Sequence, residues 1–419
     1  MADKGKAAAG LPHSDNPTCA TLLPMNITRR VFASLFLVSA VVAALLPAQT
    51  ADKPDARKKF LVFVGTYTTK TDSKGIYVFR YDANSGKLTP MGVAAETQDP
   101  SWVAIHPNGK FLYAVKEAGK NSMVSAFSLD AQSGKLALLN QLPALGEDPC
   151  YLAFDRTGKY VLVANYSSGN VVVFPIGADG KLGAATANVR DEGRLGPNKE
   201  RQEGPHAHWI KNLGSEVFVA DLGLDRVMVY RLDPRNGTLS PMPAAGPSNP
   251  FPQGPVELSP GTGPRHAALL RSGKFMYVLG ELDSTVTCFV ATKEGILNGA
   301  LGKYPMLPVG FSARNDAAEI AIHPNSRFLY ASNRGHDSIA AFHIDPGSGK
   351  LTAAGDFSVQ GKEPRNFAID PSGNYLLAED QLSDKIVTFR IDQKTGALTP
   401  TGDFAELPSP VCLVFLPVD

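Results

Sequence analysis

The stretch Pro364–Pro371 (PRNFAIDP) is one of seven near-copies of a pattern in which a proline or alanine leads into a short apolar strand. The other copies start at Pro100, Pro149, Pro205, Pro264, Ala317 and Pro410. A second pattern, Gly-x-Leu, recurs at Gly86, Gly134, Gly180, Gly237, Gly295, Gly349 and Gly396, with spacings of 48, 46, 57, 58, 54 and 47 residues. A repeat of this length built from short strands is typical of a β-propeller.

Each repeat predicts four strands, named A to D in chain order. In one repeat these are Trp102–Ile105, Phe111–Val115, Met123–Leu129 and Leu136–Leu139. Alternating apolar residues, many of them β-branched or aromatic, favour strands over helices throughout.

The first repeat lacks strand A and opens at Phe60–Gly65 with a strand B, while the last copy, Pro410–Phe415, is a strand A without a blade. We therefore predict that the chain ends share one blade, which removes two exposed sheet edges. The predicted fold is all-β: a seven-bladed β-propeller with four-stranded blades over residues 60–416, closed by the C-terminal strand joining the N-terminal blade.

The N-terminus predicts an export signal. Two arginines in Thr28–Phe32 precede the apolar run Ala33–Leu46, and small residues follow around Ala48–Ala51. This order is typical of a signal peptide, and the arginine pair suggests the twin-arginine route. We predict a leader over residues 1–51 with Met25 as the initiator, a linker over 52–59, a periplasmic or secreted location, and no stable membrane insertion after signal removal; an uncleaved anchor is the alternative.

Composition narrows the possible partners. The formal net charge is +1, from 41 basic and 40 acidic side chains. Nucleic-acid binding would need an excess of basic residues, so the charge balance does not predict it. Besides Cys19, the chain has Cys150, Cys288 and Cys412, without a C-x-x-C pair. We expect three buried thiols and at most one disulfide.

Strand order assigns unusual polar residues to one rim, since strand A starts where strand B ends. The starts of A strands carry His206, His208, Arg265, His266, Glu319 and Arg365, and the ends of B strands carry Asn165, Tyr166, Asp221, Glu281, Asn333, Arg334, His336, Asp337 and Gln381. Two long D-to-A connections, residues 183–204 and 240–263, flank the blades of His206 and Arg265. Loops on a rigid scaffold commonly carry binding residues, so these two could wall a pocket.

Four segments resemble a known family: Gly204–His208, Gly263–His266, Glu281–Val286 and Ser332–Ile339. They are similar to the seven-bladed propeller lactonases, which include bacterial propeller-type 6-phosphogluconolactonase and the fungal carboxymuconate lactonizing enzyme. The resemblance covers essentially all of residues 60–416. It implies that a histidine, a glutamate and two arginines do the chemistry, which here are His206 or His208, Glu281, Arg265 and Arg334.

These residue types suit the hydrolysis of a sugar lactone, and we expect that lactone to be anionic. A histidine or a buried glutamate can move protons, and arginine offers a planar fork to an anion or a developing oxyanion. We expect Glu281 and His206 or His208 to act as acid and base, with Arg265 and Arg334 as the anion clamp. The expected substrate contacts are His266, His336, Asn165, Tyr166, Asp221, Asn333, Arg365 and Gln381.

Three alternatives stay open. A zinc or harder ion could bind His206, His208 and Glu281, although nearby arginines would repel a cation, and we expect no cofactor. The protein could be a non-enzymatic propeller that binds a small anion or a protein on its rim. It could also form lactones as a cycloisomerase, since that reaction needs the same acid, base and anion clamp.

Overall fold

The computed structural model describes residues 58–243, 254–292, 295–296 and 299–418. The predicted leader and most of the predicted linker lie outside these ranges. Within them, the chain forms seven antiparallel sheets, and the helical content is limited to two 3₁₀ turns, Gly119–Asn121 and Gln381–Ser383. No described helix is long and apolar enough to cross a membrane.

The first blade joins both ends of the propeller. Its strands are β1 (Lys59–Thr66), β2 (Gly75–Asp82), β3 (Lys87–Glu96) and the last strand, β30 (Pro410–Pro417). They lie in the order β3-β2-β1-β30, with Val62 opposite Phe415. The predicted closure by the C-terminal strand is confirmed.

Blades 2, 6 and 7 also follow the regular four-strand order. Blade 2 consists of β4 (Val103–Ile105), β5 (Phe111–Lys116), β6 (Met123–Leu129) and β7 (Leu136–Pro143). Blade 6 consists of β22 (Asp316–Ile322), β23 (Phe328–Arg334), β24 (Ser338–Ile344) and β25 (Leu351–Ser358). Blade 7 consists of β26 (Pro364–Ile369), β27 (Tyr375–Asp380), β28 (Lys385–Ile391) and β29 (Leu398–Glu406).

Blades 3 to 5 have an interrupted outer edge. Blade 3 consists of β8 (Pro149–Phe154), β9 (Tyr160–Asn165), β10 (Asn170–Pro175) and β11 (Ala187–Arg190). Blade 4 consists of β12 (Ala207–Leu213), β13 (Glu216–Asp221), β14 (Arg226–Leu232), β15 (Leu239–Pro241) and β16 (Val256–Glu257). Blade 5 consists of β17 (Pro264–Leu269), β18 (Phe275–Gly280), β19 (Thr285–Thr292), β20 (Gly295–Ile296) and β21 (Gly302–Pro305).

In each of these blades, two short segments take the place of one continuous outer strand and pair with strand C. In blade 3 these are the bridge between Ile176 and Leu182 and the strand β11. In blade 4 both β15 and β16 pair with β14, and in blade 5 both β20 and β21 pair with β19. The wide repeat spacings therefore include outer-strand residues as well as loops. The predicted connection 183–204 contains β11, so its loop starts only after Arg190.

The Gly-x-Leu turns join neighbouring blades. Gly180 has a φ of 82°, and a Cβ atom there would lie 2.4 Å from the Phe111 ring of the preceding blade. The Tyr113 hydroxyl, also in the preceding blade, donates to the Gly180 carbonyl at 2.7 Å. Glycine is needed here both for the backbone conformation and for the close packing.

The three cysteines of the propeller, Cys150, Cys288 and Cys412, are free and buried, as expected. Each lies inside a strand, and burial raises the pKa of all three thiols. Buried thiols of this kind behave as small apolar side chains.

Candidate active site at the channel mouth

A β-bulge at the start of the inner strand places the site residues. Six inner strands shift register within three residues of their first residue, so that one additional residue faces the partner strand. Blade 2 has the same irregularity, because Val115 N donates to Trp102 O while Glu117 N donates to Asp99 O. Bulges re-aim side chains, and they are common beside active sites.

Equivalent positions in the seven blades define three rings along the channel. The mouth ring contains one residue from each blade, which lies at the end of strand B or directly after it: Tyr67, Glu117, Tyr166, Leu222, Glu281, Arg334 and Gln381. The upper ring, at the bulge, is Ser101, Cys150, His208, Arg265, Ala318, Arg365 and Val411. The lower ring follows directly in sequence: Trp102, Tyr151, Trp209, His266, Glu319, Asn366 and Cys412.

The register separates the two histidines that the sequence left equivalent. Ala207, rather than Pro205, pairs with Asp221 in the way that Pro264 pairs with Gly280. The third copy of the pattern therefore starts two residues later than its proline suggests. His208 consequently belongs to the upper ring, whereas His206 precedes the strand at the rim.

Glu281 lies at the centre of the charged groups. Its Oε2 is 3.0 Å from Arg265 Nε, and its Oε1 is 3.1 Å from Arg334 Nη2 and 2.6 Å from Arg201 Nη2. Although burial opposes ionisation, the charges of Arg334, Arg265 and Arg201 hold the pKa of Glu281 at about 2. Its carboxylate is therefore ionised at neutral pH.

Arg265 is buried, and its guanidinium contacts Glu281 through Nε and the Ala318 carbonyl through Nη1. Burial lowers the pKa of Arg265 to about 10, with the charge of Arg334 adding to the effect and that of Glu281 opposing it. One of its Nη atoms donates to the Ala318 carbonyl. The guanidinium keeps its proton at neutral pH and has a fixed orientation.

Arg201 closes one side of the mouth from the loop after β11. Besides Glu281, it contacts Asp316 through Nη1 at 3.2 Å and the Tyr166 hydroxyl through Nη2 at 3.3 Å. This residue was not predicted as part of the site, because a charged loop carries no periodic signal that separates one arginine from its neighbours. Tyr67 and Glu117 were also not singled out, although the repeat position that they share with Glu281 could have identified them.

Three imidazoles surround the charged groups. His208 is buried, and its Nδ1 has no hydrogen-bond partner in the described part of the chain. Burial lowers the pKa of His208 well below its usual value, and the charge of Arg265 lowers it further. His206 stacks on Tyr166 with ring centroids 4.5 Å apart, and its Nδ1 lies 3.0 Å from the Tyr166 carbonyl oxygen.

The third imidazole, His266, lies 5.1 Å from His208 between ring centroids. Its Nδ1 is 3.1 Å from both carboxylate oxygens of Glu319. Trp102 and Tyr151 of the lower ring stack at 4.0 Å, and both meet the His266 ring edge-on. Two aromatic side chains of the lower ring thus pack directly against His266.

Arg365 is the arginine of the cavity without a carboxylate partner. It lines one cavity with His208, Arg265 and His266. Its guanidinium carbon lies 5.2 Å from the centroid of the Tyr67 ring, and no carboxylate lies within 4 Å of it among the described residues. A half-buried guanidinium that no carboxylate contacts directly is suited to bind an anionic ligand group.

Beside Tyr67, the mouth opens into a polar cleft of about 1220 Å³ over blades 1, 2 and 7. Glu117 and Gln381 of the mouth ring line it, together with Lys116, Lys120 and the hydroxyl groups of Thr69 and Thr71. Tyr67 donates a hydrogen bond to Glu117 at 2.9 Å. Hydroxyl, amide and ammonium groups of this kind match a polyhydroxylated ligand.

Four predicted contact residues instead connect parts of the scaffold. Asn165 donates to the Ala144 carbonyl, and Asn333 donates to the Met306 carbonyl and to Ser338. Asp221 accepts from the backbone amides of His206 and Leu224. His336 lies against outer strands, with Nδ1 2.8 Å from Ser338 Oγ and 3.2 Å from Asp356 Oδ2.

The structure thus brings together Glu281, Arg265, Arg334, His208, His266 and Arg365, with His206, Tyr166 and Gln381 at the rim. For the zinc alternative, the described part of the chain contains no group of three or more histidine, cysteine, aspartate or glutamate residues placed to hold a metal ion. The zinc set of His206, His208 and Glu281 is therefore not assembled.

A family model described as "Lactonase, 7-bladed beta-propeller" matches residues 61–415. The chain belongs to the seven-bladed β-propeller lactonase family. The 6-phosphogluconolactonase of Bacillus subtilis (strain 168) is 34% identical over 311 residues, which cover 74% of this chain and 84% of that protein.

Solved structures agree with this membership. A crystal structure from Bacteroides fragilis NCTC 9343 superposes with a TM-score of 0.78 at 35% identity, covering 88% of this chain and 99% of that one. The periplasmic gluconolactonase of Pseudomonas aeruginosa also has a TM-score of 0.78, at 32% identity, covering 85% of this chain and 99% of that one. Both cover the whole propeller, so the likeness extends beyond single blades.

Proposed function

We propose that this propeller lactonase hydrolyses a sugar lactone to the open sugar acid at the channel mouth. The observation that carries the proposal is the convergence of Arg265 and Arg365 with neutral imidazoles around one small cavity of about 10 Å³. Arg334 lies beside them, because it shares the carboxylate of Glu281 with Arg265. Relatives named 6-phosphogluconolactonase and gluconolactonase, at 32–34% identity, support the substrate class.

In this reaction, water attacks the lactone carbonyl, a carbon–oxygen bond forms, and negative charge develops on the carbonyl oxygen. Arg265 and Arg334 are positioned to stabilise that charge, since guanidinium groups fixed before the reaction need no reorganisation. The ring carbon–oxygen bond then breaks, and the alkoxide leaving group takes up the proton that an imidazole removed from water. A neutral imidazole of the channel can accept that proton, whereas an imidazolium cannot.

Glu281 takes a different role from the one expected. A carboxyl group with a pKa of about 2 has no proton to donate at neutral pH. We assign it to orienting the arginines, because it contacts both Arg265 and Arg334 at 3.0 to 3.1 Å. Arg365 remains as the receptor for an anionic substituent of the substrate, and the adjoining cleft holds its hydroxyl groups.

The test measures lactone opening by acid release in a pH-stat, against the spontaneous rate. Purified protein should accelerate the opening of gluconolactone and 6-phosphogluconolactone, with the larger kcat/KM for the phosphorylated substrate. Arg334→Gln should remove most of the acceleration, about 10²-fold or more. Arg235→Gln is the matched control, since Arg235 is exposed in a turn and, among the described residues, pairs with Asp233 alone.

Absence of acceleration on both lactones would contradict the proposal. Equal loss in the Arg334 and Arg235 variants would remove the arginine assignment. Replacement of Arg365 by Gln should reduce the preference for the phosphorylated lactone while sparing gluconolactone, since only the anionic substituent needs that guanidinium.

We also propose that the protein works after export. The twin-arginine pattern at Arg29 and Arg30 supports this, as does the name of the Pseudomonas aeruginosa relative, a periplasmic gluconolactonase. Cell fractionation tests the proposal: the protein should accumulate outside the cytoplasm, and changing both arginines to lysine should retain it inside. Cytoplasmic accumulation of the unchanged chain would contradict export.

A further inference from the structure

We infer that His266, oriented by Glu319, is the proton carrier of this site. The inference rests on the proposed function and assigns a residue for its central step. It differs from the expectation that His206 or His208 fills this role.

Several hydrogen bonds fix the position of Glu319. Its Oε1 accepts from the backbone amide of Ile320 at 2.9 Å, and its Oε2 accepts from Asn366 Nδ2 at 2.8 Å. Both oxygens also lie 3.1 Å from His266 Nδ1. Its own amide donates to Ser332 Oγ at 3.0 Å, which holds the backbone as well.

The neighbours of His266 determine its tautomer. The carboxylate of Glu319 acts as an acceptor toward its other two partners, so Nδ1 of the imidazole carries the hydrogen. On the other side, Nε2 lies 3.5 Å from Arg265 Nη1, and a guanidinium group can only donate. Both neighbours therefore require a proton on Nδ1 and a lone pair on Nε2.

The lone pair on Nε2 of His266 is also well placed for proton transfer. Nε2 of His266 adjoins the guanidinium that is proposed to hold the acyl oxygen, and His266 lines the cavity shared with Arg265 and Arg365. In His266, Nδ1 is held by a carboxylate and Nε2 lies beside the oxyanion donor. This is the arrangement of an oriented general base. The carboxylate also stabilises the imidazolium that forms.

The other two imidazoles lack these features. His208 has no carboxylate partner among the residues that the structure describes, and burial together with Arg265 lowers its pKa well below the usual value, which makes it a weak base. His206 has one ring nitrogen at the Tyr166 carbonyl and the other 3.1 Å from Glu203, whose side chain is 60% exposed. Neither His206 nor His208 has one ring nitrogen bound to a fixed carboxylate and the other facing the cavity.

The charged groups around His266 come from three blades. Burial lowers the pKa of His266, Glu319 of blade 6 raises it, and Arg265 of its own strand and Arg365 of blade 7 lower it. His208 of blade 4 and Tyr151 of blade 3 contact the ring without a formal charge at neutral pH. His266 is therefore neutral at pH 7 and becomes cationic only when Glu319 is available to compensate.

In the step that follows, Nε2 of His266 takes a proton from water as the water oxygen bonds to the acyl carbon. The same Nε2–H then passes the proton to the ring oxygen as the acyl carbon–oxygen bond breaks. The proton that leaves water is thus the proton that the alkoxide receives, and His266 ends the cycle neutral. No oxidant, metal or further reactant is needed.

The test compares His266→Gln, Glu319→Gln and His208→Gln by kcat, KM and pH profile on the lactone that the wild type opens fastest. We expect His266→Gln to lower kcat by about 10²- to 10⁴-fold with little change in KM, and to abolish the acidic limb of the kcat/KM profile. Glu319→Gln should lower kcat less and shift that limb to lower pH. His343→Gln, on a half-exposed strand position outside the channel, should match the wild type.

Imidazole rescue gives a second readout that does not depend on the pH limb. Added imidazole should restore part of the activity of His266→Gly and none of that of Arg334→Gln. Unchanged kcat and pH profile in His266→Gln, or the loss of the acidic limb in His208→Gln alone, would overturn the assignment while leaving lactone hydrolysis intact. A wild type without lactonase activity would overturn both proposals.

Discussion

Arg265 Nε and Glu281 Oε2 lie 3.0 Å apart, and both side chains are almost completely buried, at 3% and 4% exposure. The two residues come from the start of β17 and the end of β18, which pair in blade 5. Arg334, from the next blade, contacts the other oxygen of the same carboxylate. One buried anion therefore holds cations from two blades at the edge of the channel.

Replacing Glu281 by glutamine should destabilise the protein and inactivate it. Removal of one partner from a buried ion pair leaves uncompensated charges and typically costs about 3–5 kcal/mol. Here Arg265 and Arg334 would repel each other without their shared carboxylate. The free energy of unfolding from urea titration should fall by about this amount.

The matched control for that variant is Glu203→Gln. Glu203 also contacts a site residue, His206, but its side chain is 60% exposed, so the change should cost less than about 1 kcal/mol. Equal unfolding midpoints for the wild type and Glu281→Gln would show that Glu281 does not hold the arginines.

Replacing Gly223 by alanine should displace the loop that carries Arg201. A Cβ atom at Gly223 would lie 1.7 Å from the Gly204 carbonyl oxygen, and the Gly223 carbonyl accepts from Gly196 at 2.9 Å. The loop backbone must move, so the contact of Arg201 with Glu281 is lost. Thermal unfolding should show a loss of about 1–3 kcal/mol, together with reduced lactonase activity.

Gly204→Ala is the control on the other side of the same contact. A Cβ atom there meets no heavy atom within 4 Å, and Gly204 does not have a positive φ. This variant should keep the stability and the rate of the wild type. Similar losses in both variants would mean that the approach of the two glycines does not position the loop.

The pH dependence of stability should contain a contribution from Asp380. Burial raises the pKa of Asp380 to about 8, with Lys385 opposing and Asp337 adding to the shift. Because the folded-state pKa is above the unfolded value, the contribution to stability is complete below about pH 4 and is lost as the pH rises toward 8. Asp380→Asn removes this dependence.

Thermal unfolding of the wild type and Asp380→Asn between pH 4 and 9 checks this sign. The two proteins should unfold at similar temperatures near pH 4, and the variant should be the more stable one near pH 9. Parallel curves across the range would contradict the elevated pKa.

The fold was predictable because each blade of a propeller corresponds to one repeat in the sequence. Each Pro-led or Ala-led strand and each Gly-x-Leu turn marks one blade, and the solitary copy at Pro410 predicted the pairing of β30 with β1 that the structure confirms. The interrupted outer strands of blades 3 to 5 were not predicted, since short strand pieces such as β16 lack an alternating pattern of their own. Their partners are chosen by the neighbouring strand.

The site was predictable in its location and less so in its roles. Strand order brought Glu281, Arg265 and Arg334 to one rim, and they meet there. His336 and Asn333 share the same rim in sequence terms, yet they face outer strands and the scaffold, because residues at equal height can still lie at different distances from the channel axis. The order and direction of the strands predict the height of a residue along the channel axis, but not its distance from that axis.

The sequence by itself determined the blade number, the closure of the ring and the rim at which the polar residues gather, because these follow from local periodicity and from the alternating direction of strands. Only the tertiary structure decided that Arg201 joins Glu281, that His208 rather than His206 enters the upper ring, and that Glu319 holds His266. These depend on bulge register and on contacts between blades, where residues more than 50 positions apart meet in a buried space and the balance of burial and charge sets their protonation.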